Sequence, residues 1–285
     1  MKYYFKGDCE KVEIPGKDIY VFGDHATALL PWTEISRYLG QRPILLTLDN
    51  HTDIHKAFSR HVSYQHTTSN NESELVRQSH CSAIRCDDFK TIESAIKELE
   101  NDEQIDAAIK TAIIDFALVI HHAWERATAS IEEKAYREQM SDIDYLLDSR
   151  REKHAPPKPP FTYEIPASRI FLSTPLDDFD ACLESPRLVQ NLTELKQMVT
   201  TSGLGWIDDK PYILDIDLDF FRSKKSIAPL DTSEFYKLLR NAAAITIALE
   251  PLYVERNRDD PDLDSEYLFE KIKEHIQKAL SVCNV

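Results

Sequence analysis

Apolar positions along this chain fall into two patterns. Short continuous runs at Lys17–Phe22, Ile44–Leu48, Ile113–Ile120, Arg169–Ser173, Pro211–Phe221 and Ala243–Leu249 have the length and branched-aliphatic content of strands buried on both faces of a parallel sheet. Between them lie amphipathic stretches. Thr27–Leu39 predicts a helix stopped by Gly40, with Pro31 tolerated near its first turn. Thr91–Leu99 and Pro186–Thr200 predict two more. Glu266–Leu280 predicts a closing helix, because Leu268, Ile272, Ile276 and Leu280 recur at fourfold spacing. Residues 56–82 are polar and weakly periodic, which predicts a loop leading into a short helix near Glu72–Gln78. Glu125–Arg150 reads as a long surface helix, and the prolines of Lys153–Pro160 read as a stiff connector that no helix can cross. Strands alternating with helices predict an α/β fold of three layers, αβα, with a mainly parallel central sheet. A single domain over residues 1–285 is expected, with the Pro-rich connector 153–166 inside it.

Composition narrows the class. The chain has 285 residues, 42% hydrophobic, and carries a formal net charge of −15. That charge disfavours nucleic acid and anionic membrane as partners and is compatible with a cationic substrate or peptide. No apolar run reaches membrane-span length, and the polar start Met1–Asp8 lacks the character of a signal peptide, so a cytoplasmic protein is expected. Five cysteines without a CxxC pair argue against a disulfide framework or a structural zinc site.

The chemistry concentrates where strands end. Asp49, His51 and Asp53 follow the run at 44–48 with i, i+2, i+4 spacing, which on an extended backbone points all three the same way. Carboxylate and imidazole converging at a strand end suit a divalent metal. Asp215, Asp217 and Asp219 repeat the design, and three like charges on one face repel unless a cation lies among them. Two such strands in one chain predict a two-metal site. His25 sits at a strand-to-helix corner, and Glu250 ends the late strand. His61, His66 and His80 fall in the polar stretch after the first metal strand, where substrate contacts and a proton shuttle belong. His121 and His122 would face opposite sides of their strand, so at most one looks into a given site.

With these residues in place, the chain resembles the arginase-like metallohydrolases, the ureohydrolase superfamily. The resemblance rests on Gly23-Asp24-His25, Asp49-Asn50-His51-Thr52-Asp53, Asp215-Ile216-Asp217 and Leu249-Glu250-Pro251, in family order. It implies a sheet of the arginase/deacetylase type with its metal site at strand C-terminal ends. It implies two Mn2+ ions, with Fe2+ or other divalent ions also admitted, held by His25, Asp49, His51, Asp53, Asp215 and Asp217. Glu250 would hold a guanidinium, Asp53 would orient the nucleophile, and His66, or His61, would protonate the departing amine.

The departures carry information as well. Phe22 and Ala26 flank the first motif, His55 stands where enzymes of free arginine carry an asparagine, and Asp219-Phe220-Phe221 replaces the usual Asp-Pro. In this form the chain looks like the peptide arginases of ribosomal-peptide biosynthesis. Those convert arginine side chains in a precursor peptide to ornithine and urea, by attack of a metal-bridging hydroxide on the guanidinium carbon. An arginine-containing peptide is then the expected partner, with His55 and His61 beside Glu250 as substrate contacts and a homo-oligomer left open. Two other readings stay open: hydrolysis of a free guanidino compound such as agmatine or arginine, or of an acylated amine, and a metal or peptide-binding module without turnover.

Overall fold

Seven apolar segments pair into one sheet. The computed structural model describes residues 4–65, 70–122 and 169–281. Its strands are β1 Cys9–Ile14, β2 Lys17–Phe22, β3 Ile44–Asp49, β4 Ala117–His121, β5 Ile170–Leu172, β6 Tyr212–Asp217 and β7 Ala244–Ala248. The spatial order is β1-β2-β7-β6-β3-β4-β5. Every pairing is parallel except β1 with β2, which are antiparallel across the turn at Gly16.

Period-2 alternation along the strands builds two cores. Ile44, Leu46 and Leu48 of β3 face one apolar cluster and Leu45 faces the other. The first cluster packs under α6 (Ser185–Thr201), α7 (Ser233–Asn241) and α9 (Ser265–Ser281). The second packs under α1 (Leu29–Leu39), α4 (Phe89–Glu98) and α5 (Gln104–Lys110). The result is the three-layer αβα arrangement. Each fully buried aliphatic side chain in these layers contributes roughly 1.5–3 kcal/mol of transfer free energy. Among the described residues no helix is long and apolar enough to cross a membrane.

The topology also positions the chemistry. From β3 the chain moves outward to β4 and β5, whereas from β6 it moves the other way to β7. The neighbours β3 and β6 therefore straddle a switch point, and open α/β sheets present a crevice there at the C-terminal ends of the strands. Asp49 ends β3 and Asp217 ends β6.

Several elements differ from the sequence reading, for local reasons. The helix expected from Thr27 is a 3-10 turn over His25–Ala28 that passes into α1 at Leu29, with Asp24 accepting from the Ala26 N–H at 3.0 Å. Ile113 and Ile114 are buried, yet their N–H groups close a turn on the Ala108 carbonyl, so β4 begins only at Ala117. The stretch 56–82 holds two helices, α2 (Ser59–Gln65) and α3 (Asn70–Ala83), in place of a loop and one short helix. The start of α2 is secured from far along the chain: the Glu103 carboxylate accepts from the N–H groups of Phe58 and Arg60. β1 was missed because its burial alternates along a polar edge segment. The expected surface helix at 125–150 and the Pro-rich connector lie outside the described residues.

Candidate metal centre

The centre is built from the ends of β2, β3 and β6. On β3, Leu45, Thr47 and Asp49 share one face, and on β6 Ile213, Asp215 and Asp217 share the same face of the sheet. His25 enters from the 3-10 turn after β2. Its Nδ1 meets Asp53 Oδ2 at 3.1 Å, Asp217 Oδ2 at 3.1 Å and Asp49 Oδ2 at 3.6 Å. All four side chains are buried. These approaches lack hydrogen-bond alignment, and both His25 Nδ1 and Asp49 Oδ2 are buried without a hydrogen-bond partner. Four donors pointed at one another in this way could hold a cation.

A second group overlaps the first. His51 Nδ1 lies 3.3 Å from Asp219 Oδ2 and 3.7 Å from Asp49 Oδ1. Asp49 thus presents Oδ2 to the His25 group and Oδ1 to the His51 group, the disposition of a bridging carboxylate. Two imidazoles with the carboxylates of Asp49, Asp53, Asp217 and Asp219 form a nitrogen and oxygen donor set that suits Mn2+, Fe2+ or Zn2+. The fit to a pair of divalent ions is good on both counts, donor chemistry and unpartnered buried atoms.

Asp215 does something different from what the motif suggested. Its Oδ2 lies 2.8 Å from His25 Nε2, the nitrogen remote from the converging carboxylates. Strand register explains its burial. Asp215 pairs with Thr47 of β3 on one side and Thr246 of β7 on the other, and both hydroxyls donate to its carboxylate. Its two oxygens are thus engaged by His25 and two threonines, an arrangement that fits a carboxylate orienting an imidazole from behind. The carboxylates that face the Nδ1 atoms of His25 and His51 are Asp217, at the strand end, and Asp219, just beyond it, one step past the expected Asp215-Ile216-Asp217 pair. Asp219 leaves the strand in a 3-10 turn over Leu218–Phe220, capped by the Asp217 carboxylate, and Asn257 donates to its Oδ2 at 3.0 Å.

Charge is crowded here. Burial, and then the charge of Asp53, pushes the Asp49 carboxyl well above the usual carboxylate range. Burial, Asp219 and Glu250 do the same to Asp217. Burial disfavours the His51 cation, but Asp219 and Asp49 outweigh it and raise the imidazole to about 12. His25 is likewise raised, with Asp215 overcoming burial. Such a cluster takes up protons or a metal to offset its own repulsion.

Glu250 stands at the rim on a left-handed backbone, φ 34°, immediately before Pro251 and α8 (Pro251–Asn257). Asp53 is also left-handed, φ 48°. Residues other than glycine hold that conformation only where surroundings over-determine it, typically at functional sites. The Glu250 carboxylate accepts from the His25 N–H at 2.9 Å and from Asn101 Nδ2 at 3.1 and 3.2 Å. Burial raises it to about 8.

The sequence reading missed Glu100–Asp106 altogether. Asn101 holds Glu250, Asp102 reaches His55 at 3.0 Å, Gln104 donates to Asp53 Oδ2 at 2.6 Å, and Asp106 accepts from the Ala57 N–H. The signal available was a dense polar run between two apolar stretches. His55 is partly exposed and held up in pKa by Asp102. His61 faces His80 and Glu98, and His66 lies outside the described residues. His121 ends β4 and His122 follows it in an isolated bridge to Leu176; His122 Nε2 meets the Phe220 carbonyl at 2.9 Å.

No family model and no curated protein sequence matches this chain. Among solved structures the chain is similar to formimidoylglutamase from Bacillus subtilis subsp. subtilis str. 168, with 13% sequence identity and a TM-score of 0.38 over 92% of this chain. The match covers 60% of that protein, so the chain spans less than two thirds of its length. A likeness this distant carries no functional weight, and what the site can do rests on its own side chains.

Proposed function

We propose that this chain is a metal-dependent hydrolase of guanidino groups, acting on arginine side chains within a peptide to leave ornithine and release urea. The observation that carries the reading is the pair of overlapping donor groups joined through Asp49, with buried Glu250 beside them. His25, Asp49, Asp53 and Asp217 would hold one divalent ion, and Asp49, His51 and Asp219 the other. When bound, such a pair supplies Lewis acidity and a water acidified towards neutral pH.

The remaining work falls to this chain's own residues. Glu250 binds the guanidinium, whose planar donors match a carboxylate in bidentate fashion. Asn101 and the His25 N–H fix the direction in which that carboxylate faces. Arrival of a cation favours the ionised form of Glu250, which burial otherwise opposes. Asp215 holds the His25 ring in register, and Gln104 holds Asp53. A net charge of −15 favours encounter with a basic peptide, and His55 in place of an α-group clamp favours arginine embedded in a chain.

The test is mass spectrometry of an arginine-containing peptide incubated with the manganese-loaded chain, with free arginine and agmatine in parallel. The expected result is loss of one CH2N2 unit per modified arginine together with urea, and free arginine untouched. Urea from a free guanidino compound with the peptide unchanged would replace the peptide reading by the free-substrate one.

A further inference from the structure

Away from the strand-end centre, three helices bring together another set of donors. His61 of α2, His80 of α3 and Glu98 at the end of α4 have ligand atoms that all lie within 4.8 Å of one another. His80 Nδ1 is 3.0 Å from Glu98 Oε2, and His61 Nε2 is 3.9 Å from the same oxygen. The imidazoles meet edge to face with centroids 5.1 Å apart, and the Phe58 ring packs against His80 at 5.0 Å.

A hydrogen bond accounts for His80 and Glu98 but not for His61, which is turned towards the same oxygen beyond hydrogen-bond reach. A tetrahedral ion at zinc–ligand distances holds its donors about 3.4 Å apart. The two observed separations bracket that spacing, so small rotations of the His61 and His80 side chains would complete the geometry. The side chains are partly exposed, 16% for His61, 28% for His80 and 38% for Glu98, which leaves water access for a fourth ligand. Two imidazoles and one carboxylate form a donor set for zinc-class ions.

We propose that His61, His80 and Glu98 form a mononuclear site for a zinc-class divalent ion that clamps α2 and α3 onto α4. The site uses none of the residues of the strand-end centre, so the two stand or fall separately.

The experiment measures zinc bound per chain after Zn2+ loading and gel filtration, in an Asp49→Asn/Asp217→Asn background that disables the strand-end centre. One equivalent is expected to remain there, and to disappear when His80→Ala or Glu98→Gln is added, with at least a tenfold loss of affinity. A second measurement needs no variant: Zn2+ should shift the imidazole resonances of both His61 and His80 in the unmodified chain. Equal zinc content with and without the added substitution, or unmoved His61 and His80 resonances, overturns the proposal.

Discussion

Asp215 Oδ2 touches His25 Nε2 at 2.8 Å while three other carboxylates crowd the same ring at Nδ1. One imidazole thereby separates an orienting carboxylate from the groups that could hold a metal. Removing the orienting partner of a metal-binding histidine typically lowers metal affinity 10–100-fold, whereas removing a ligand disrupts the site itself. Asp215→Asn is therefore expected to weaken manganese binding by about 10–100-fold while still loading at saturating metal. Asp217→Asn and Asp219→Asn should fail to load the pair. Titration calorimetry on the three variants decides this, and full loading by Asp217→Asn with none by Asp215→Asn would restore the earlier register.

Glu250 owes its direction to Asn101 together with the His25 N–H. Asn101→Leu removes the donor to both carboxylate oxygens and leaves the metal-facing side chains in place. Turnover of the peptide is expected to survive with a KM raised about tenfold or more, since one charge-assisted hydrogen bond contributes roughly 1.5–3 kcal/mol. Glu250→Gln should abolish detectable turnover and keep its metal. Unchanged kinetics in Glu250→Gln would remove this residue from substrate binding.

His122 contributes to the pH dependence of stability. Burial between Phe179 and Phe220, with ring centroids at 4.7 and 4.5 Å, lowers its imidazole to about 4. The unfolded chain, titrating near the ordinary value of 6.5, then binds more protons than the folded one between those limits. Stability falls as pH drops from about 6.5 to about 4, by an amount on the order of 3 kcal/mol from this group. His122→Phe should lose less stability over that window than the parent chain in denaturant melts at each pH. Parallel losses in the two proteins would show that His122 does not titrate this way.

Gly23 tests the corner that delivers His25. A Cβ there would meet the Tyr4 carbonyl oxygen at 2.8 Å and Tyr4 Cβ at 2.9 Å. Gly23→Ala is expected to cost about 1–3 kcal/mol of stability, as overpacking does, and to lower metal affinity by displacing the neighbouring turn. A melting temperature equal to the parent's would show that the N-terminal segment gives way freely.

Much of this was legible in the residues. Asp49, His51 and Asp53 are legible as donors clustered after an apolar run, but the twofold period does not align them: β3 ends at Asp49, the His51 N–H folds back onto the Asp49 carboxylate, and Asp53 sits on a left-handed backbone beyond the strand. The α/β class follows from apolar runs alternating with amphipathic stretches. The register at Asp215, Asp217 and Asp219 was not legible. Three carboxylates at equal spacing are equivalent until it is known that Thr47 and Thr246 flank the first and that the strand ends at the second. Nor could Glu103 be recognised as the cap of α2, since the two are brought together only by the fold. His55 was placed beside the substrate by motif position, while in the fold Asp102 engages it.

The strand order has a consequence for synthesis. β2 and β3 follow one another in the chain, yet β7 and β6 lie between them. When residues up to 122 have left the ribosome, His25, Asp49, His51 and Asp53 all exist, but the middle of their sheet does not. Two strands that begin 90 or more residues later must insert between elements already present, the kind of long-range pairing that is slow to form and exposes unpaired edges meanwhile. A nascent or truncated chain that ends before β6 therefore carries Asp49 and Asp53 without Asp217 and Asp219 beside them, and the facing edges of β2 and β3 stay open.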